Sequence, residues 1–137
     1  METSRESLVT RLREFGQFAD CSEPELEELA HHCEEVHVPE GWAFIVEGTP
    51  GDTCYLVLAG TVRVSRDGFE LATVGPGDLV GEIAIIEQRS RTATCTAVTP
   101  LDLLQMEASE FNGWLQQRPE LRDRLLSRAT GRRPTGG

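Results

Sequence analysis

At 137 residues the chain is sized for one domain with its own core, and its formal net charge of −10 argues against sequence-independent nucleic-acid binding, which runs on phosphate neutralisation by Lys and Arg. A content of 39% hydrophobic and 26% charged residues is that of an ordinary globular protein, and no apolar run approaches the ~20 residues a membrane span needs. Met1-Glu2-Thr3-Ser4-Arg5-Glu6 has no apolar stretch behind a basic start, so no signal peptide is expected and a cytoplasmic location is the default.

In chain order, residues 4–15 read as a helix, with Leu8, Leu12 and Phe15 on one face. Ser22-Glu23-Pro24-Glu25 opens a second helix. Ser22 can cap it, Glu25 can reach back to the cap, and Pro24 is tolerated in a first turn. Leu26, Leu29, Ala30 and Cys33 form its apolar stripe, and the helical region is expected to end at residue 35. From Val36 short β-prone runs alternate with glycine turns. The runs are Trp42 to Val46, Cys54 to Leu58, Thr61 to Ser65, Phe69 to Val74, Leu79 to Gly81, Thr94 to Val98 and Leu101 to Met106. Arg66-Asp67-Gly68 reads as a tight hairpin turn. This spacing predicts a mainly β domain, an eight-stranded jelly-roll β-barrel over 36–106 with flanking N- and C-terminal helices. Residues 82–87 break the rhythm with a short helical turn, whose amide N–H groups can face a ligand. Helices return over 107–130, with Phe111, Trp114 and Leu115 on one face and Leu121, Leu125 and Leu126 on the next; 131–137 reads as a flexible tail.

Charge is uneven along the chain. Residues 1–47 hold twelve acids against three arginines, while 118–133 hold six arginines against Glu120 and Asp123. Two solvated helical surfaces explain this; docking of one end on a partner of opposite charge is the sharper alternative. None of Cys21, Cys33, Cys54 and Cys95 makes a Cys-x-x-Cys pair, so they read as small buried hydrophobes rather than a zinc ribbon. His31, His32, Cys33 and His37 invite a metal reading, but adjacent His31 and His32 point apart and Cys33 lies on an apolar stripe, so no metal site is expected.

The chemistry-bearing string is Gly81-Glu82-Ile83-Ala84, a spacer, then Arg91-Thr92-Ala93-Thr94. A small cyclic phosphate diester needs a cation, and the planar guanidinium fork offers parallel donors that never deprotonate. Free N–H groups at a helix start add donors without bulk. A carboxylate suits a ribose hydroxyl because it only accepts. Gly81 and Ala84 leave room for close approach.

These residues carry a resemblance. The chain is similar to the cyclic nucleotide-binding domains of catabolite-activator-type regulators, cyclic-nucleotide-dependent kinases and nucleotide-gated channels, whose cassette reads Gly-Glu-Leu-Ala, spacer, Arg-Ser/Thr/Ala-Ala. Pro39-Glu40-Gly41, Val46-Glu47-Gly48, Gly51-Asp52, Tyr55-Leu56-Val57, Gly60-Thr61-Val62 and Gly75-Pro76-Gly77-Asp78 match in order, and the likeness runs from about Phe15 to about Leu126. The resemblance implies that Glu82 holds the ribose 2′-OH and Arg91 the cyclic phosphate. Gly81, Ile83 and Ala84 would supply backbone donors and clearance. Thr92 and Ala93 would flank phosphate and base, and Val64 and Leu71 would wall the pocket. Alignment on Thr92-Ala93 favours Arg91 over Arg89 as the anion ligand.

The resemblance implies a non-catalytic receptor that switches conformation on binding, with cAMP ahead of cGMP as ligand and no further cofactor. The Thr92 hydroxyl does not decide the base. The final helix over 119–130 is short, roughly 18 Å at ~1.5 Å per residue, with no long dimerising helix or helix-turn-helix, so no DNA binding by this chain alone is expected. A protein effector and a weak homodimer stay open as partners. The alternatives are a ligand-free interaction module, in which Glu82 and Arg91 pair with each other, and a metal-dependent cupin-type enzyme. All three histidines precede the strands that a cupin would use, and no Ser/His/Asp or Cys/His pairing supports nucleophilic catalysis.

Overall fold

Two four-stranded antiparallel sheets organise the computed structural model, which describes residues 5–49, 51–81, 91 and 93–130. In chain order the elements are α1 (Arg5–Arg13), a 3-10 turn (Gly16–Phe18), α2 (Glu23–His31), β1 (Cys33–Val38), β2 (Ala43–Ile45), β3 (Thr53–Ala59), β4 (Val62–Arg66), β5 (Phe69–Val74), β6 (Leu79–Val80), β7 (Thr94–Ala97), β8 (Leu101–Glu107), α3 (Ala108–Gln116) and α4 (Pro119–Thr130). One sheet runs β1-β8-β3-β6 and the other β2-β7-β4-β5. The sheets are not closed into a cylinder, so the expected barrel is a jelly roll of two open sheets. Among the described residues, no helix is long and apolar enough to cross a membrane.

The first sheet is apolar on both faces, and the two faces feed separate cores. Cys54, Leu56 and Leu58 of β3 and Leu104 and Met106 of β8 pack with Leu12, Phe18, Leu26, Leu29, Phe111 and Leu115 under the helices. The alternate residues Val57, Leu101 and Leu103 join Val38, Ile45, Val62, Val74, Val80, Cys95 and Ala97 between the sheets. Strand alternation makes this division, because successive side chains leave opposite faces. The hairpin joining β4 and β5 has positive φ at both Asp67 and Gly68, which suits the twist of the flanking strands.

One boundary differs from expectation. The N-terminal helices do not run to residue 35: α2 ends at His31, and Cys33 opens β1 opposite Met106 of β8. Cys33 lies four residues after Leu29 and its thiol donates to the Leu29 carbonyl at 3.1 Å, so it looks like a continuation of the stripe. It packs on the same core from a strand instead, while Val36 faces the inter-sheet core.

The start of α2 forms as the sequence predicts. Glu25 N–H donates to Ser22 Oγ at 3.3 Å and Ser22 N–H donates to Glu25 Oε1 at 2.8 Å. Glu25 also binds the C-terminal helices: its carbonyl accepts from Trp114 Nε1 at 3.2 Å and its Oε2 accepts from Arg118 Nε at 2.8 Å. Arg118 in turn stacks over the Trp114 ring at 4.2 Å. Hydrogen bonds from Ser22, backbone first and then side chain, with Arg118 behind them, hold the Glu25 carboxyl below its usual 4.5. A depressed folded value stabilises above the unfolded value, and the contribution is lost as pH falls through the folded one. Glu25→Gln is therefore expected to be less stable than the parent at pH 7, with the gap in urea midpoint closing as pH drops below 4.5. A pH-independent gap would show that the carboxylate's charge is not what this junction uses.

Candidate functional site

Arg91 is the one charged side chain among the described residues that is buried, at 9% exposure. Its backbone is clamped by the loop after β2: Arg91 N–H donates to the Thr49 carbonyl at 2.8 Å, and Gly48 N–H donates to the Arg91 carbonyl at 2.9 Å. Gly48 adopts φ +84°, a left-handed conformation that glycine reaches without steric penalty.

The guanidinium is seated on bare backbone. A Cβ at Gly51 would overlap Arg91 Nε and Cζ, so the missing side chain is the space the fork occupies. Nη2 donates to Thr53 Oγ1 at 3.1 Å. Nη1 is buried and has no hydrogen-bond partner among the described residues. It lies toward Gly81, where φ is +80° and a Cβ would meet Nη1 at 3.0 Å, the Thr53 carbonyl at 3.1 Å and Cys54 Cα at 3.3 Å.

Among the described residues, the side chain that accepts from this buried cation is a neutral hydroxyl. The charge is left uncompensated there, and an unmatched buried charge is costly. The arrangement suits an anion small enough to approach the turn at Gly81. A charge-assisted bond from the free edge of the fork contributes about 1.5–3 kcal/mol net.

Of the sequence-predicted residues, the described contacts bring Gly81 against Arg91. Val64 is half-buried on β4 between Ala72 and Cys95, packed on the inter-sheet core. Leu71 is half-buried at a bulge: Val64 pairs with Ala72 and Ser65 with Glu70, which leaves Leu71 as the extra residue. Ala93 is half-buried just before β7. Glu82, Ile83, Ala84 and Thr92, with the expected helical turn over 82–87, lie outside the described residues. Sequence reasoning missed Gly51 and Thr53 as site residues. Gly51 was legible only as half of a Gly51-Asp52 turn, and Thr53 carried no signal beyond a hydroxyl beside that turn.

The histidines take other positions. His37 Nδ1 lies 2.5 Å from Asp102 Oδ1 and Nε2 lies 3.4 Å from Glu35 Oε2, a grouping with the shape of a metal-ligand cluster. Arg11 already sets a cation 3.8 Å from Glu35 and 3.7 Å from Asp102. Burial pushes the Cys33 thiol up to about 12, which keeps it protonated and a poor metal ligand at neutral pH.

The sequence and the fold both have counterparts among known proteins. The family model described as "Cyclic nucleotide-binding domain" matches residues 35–118. A CRP-like cAMP-activated global transcriptional regulator of Mycobacterium tuberculosis is 33% identical over 103 residues, which cover 72% of this chain and 46% of that one. The chain thus spans less than half the length of that relative. The N-terminal domain of a transcriptional regulator from Streptomyces coelicolor A3(2) superposes with a TM-score of 0.65 at 37% identity, covering 89% of this chain and 88% of that one. The regulatory domain of Toxoplasma gondii PKA, crystallised with cAMP, superposes with a TM-score of 0.69 at 31% identity, covering 82% and 46%.

The two glycines around Arg91 should respond differently to alanine. Gly81→Ala meets positive φ and backbone atoms that cannot move aside, so a loss above about 1 kcal/mol is expected in a urea titration. Gly51→Ala meets only a side chain, which can swing away, so its loss should be smaller. Equal losses would mean that Gly51 serves the backbone and not the guanidinium.

Proposed function

The chain belongs to the cyclic nucleotide-binding domain family, and from that premise we propose that it is a non-catalytic receptor for a cyclic nucleotide, cAMP ahead of cGMP. The observation that carries this reading is the buried Arg91 guanidinium, with Nη2 bound to Thr53 and Nη1 left without a partner among the described residues beside Gly81. The cyclic phosphate takes the free edge of that fork. Glu82, the residue after the Gly81 turn, accepts from the ribose 2′-OH. Backbone N–H groups of Ile83 and Ala84 add donors. Thr92 and Ala93 flank the phosphate and base, and Val64 and Leu71 wall the barrel side.

Anion binding at Arg91 favours one of two states by its differential affinity for them. The state that closes over the ligand draws the segment after Gly81 inward, and α3 and α4 repack over the base. Output then passes to a protein effector or through a weak homodimer, as in a regulatory domain and not an enzyme.

The test is calorimetric titration of protein stripped of co-purified ligand, with cAMP and with cGMP. Saturable binding is expected with cAMP tighter, and Arg91→Ala should abolish it without unfolding the chain. At a ligand concentration of 100 Kd the folded state should gain about 2.7 kcal/mol by mass action, seen as a raised thermal midpoint. Glu82→Ala should shrink the penalty for the 2′-deoxy analogue. Absence of heat and of thermal shift with both nucleotides would overturn the receptor in favour of the ligand-free interaction module.

A further inference from the structure

We infer that Thr53 is the positioning residue that aims the Arg91 fork at the anion while leaving its charge available; the inference rests on the proposed nucleotide site. Thr53 is the first residue of β3, paired with Glu107 at the end of β8. The neighbouring Asp52 carbonyl accepts from Ala108 N–H at 2.7 Å, so the backbone under the Thr53 hydroxyl is held from two sides.

That hydroxyl has one proton and two lone pairs. The proton is directed to Tyr55 Oη, 3.4 Å away, and the lone pairs are left to accept from Arg91 Nη2 at 3.1 Å. The Tyr55 ring is itself fixed edge-on to Phe44, with centroids 5.2 Å apart and planes at 85°. The orientation of the acceptor is therefore set from the inter-sheet core, where both rings pack.

A neutral acceptor at this position matters. A carboxylate in place of the hydroxyl would pair with the guanidinium and compete with an incoming phosphate. A hydroxyl fixes one edge of the fork and neutralises nothing. With the flat of the fork over Gly51 and Nη2 tied to Thr53, the remaining Nη1 edge is directed toward Gly81. Thr53 does not itself need to touch the ligand; it acts through Arg91.

The experiment compares the parent with Thr53→Val, which keeps the shape and removes the acceptor, and Thr53→Ser, which keeps the acceptor and removes the methyl. Affinity for cAMP is read by calorimetry. A second readout is the nitrogen NMR signals of the Arg91 guanidinium in ligand-free protein, where hindered rotation about Nε–Cζ separates the two Nη groups. Thr53→Val should weaken cAMP binding by about tenfold or more, the loss expected for one hydrogen bond to a charged group, and merge the two Nη signals. Thr53→Ser should stay within about threefold of the parent and keep them apart, since the same acceptor is present. Thr53→Ala replaces Thr53→Val in the comparison if the valine protein does not fold. Unchanged affinity in the variant without the hydroxyl, or equal loss in Thr53→Ser, overturns the inference. If the parent binds no nucleotide, the receptor reading falls separately, and merged Nη signals in the parent would then show that Thr53 does not hold the fork either.

Discussion

Alternate residues of β3 serve two different cores. Cys54, Leu56 and Leu58 turn toward the helices, while Val57 turns toward the second sheet, and all four are buried. β8 does the same with Leu104 and Met106 on one side and Leu101 and Leu103 on the other. A one-residue slip of either strand would exchange the two sets and mismatch both cores at once, so double-sided burial fixes the β3–β8 register far more firmly than one apolar face would. The site depends on that register. Thr53 is the first residue of β3, and its height along the sheet decides where the Arg91 guanidinium is caught.

Strands β2 to β8 were legible because glycine turns with real conformational demands separate them, whereas β1 was not among the runs read from the sequence. Gly60 needs φ +100° where a Cβ would lie 2.5 Å from the Pro100 carbonyl, and the Asp67-Gly68 turn needs positive φ twice. The capping box of α2 was legible because its chemistry is local, confined to Ser22 and Glu25. What was not legible is what depends on partners distant in sequence. Cys33 kept the helical spacing of α2, and only pairing with Met106 across a gap of many residues makes it a strand residue. Arg91 could be chosen over Arg89 by its place in the cassette. The seat on Gly51 and the bond to Thr53 could not be read, because neither spacing nor periodicity reports which loop a side chain lies across.

The uneven charge has an internal explanation that the sequence offered only as solvated faces or a docking partner. Two of the basic residues of the C-terminal stretch meet acids of the N-terminal stretch within the chain: Arg118 with Glu25 at 2.8 Å, and Arg124 with Asp20 at 3.9 Å. The two pairs are unequal. Arg118 is only 12% exposed, stacked on Trp114 and bonded to its carbonyl, so its pair is held in one geometry. Asp20 is 89% exposed, and a pair of that kind adds little. The acidic and basic ends are therefore partly each other's partner, joined where α2 begins and α3 ends.

That junction and the site meet the first sheet at different places, yet both lead to the C-terminal helices. At one, Glu25 binds Trp114 and Arg118. At the other, the Asp52 carbonyl holds the first N–H of α3 while the next residue, Thr53, accepts from Arg91. The Arg91 contact and the start of α3 are thus separated by one peptide unit at the start of β3. Proximity alone is not coupling; it becomes coupling only if the Asp52–Ala108 contact differs between two states of the domain. The peptide between Asp52 and Thr53 is where such a difference would act, because its carbonyl holds the first N–H of α3 and the next residue carries the hydroxyl that ties one edge of the Arg91 fork.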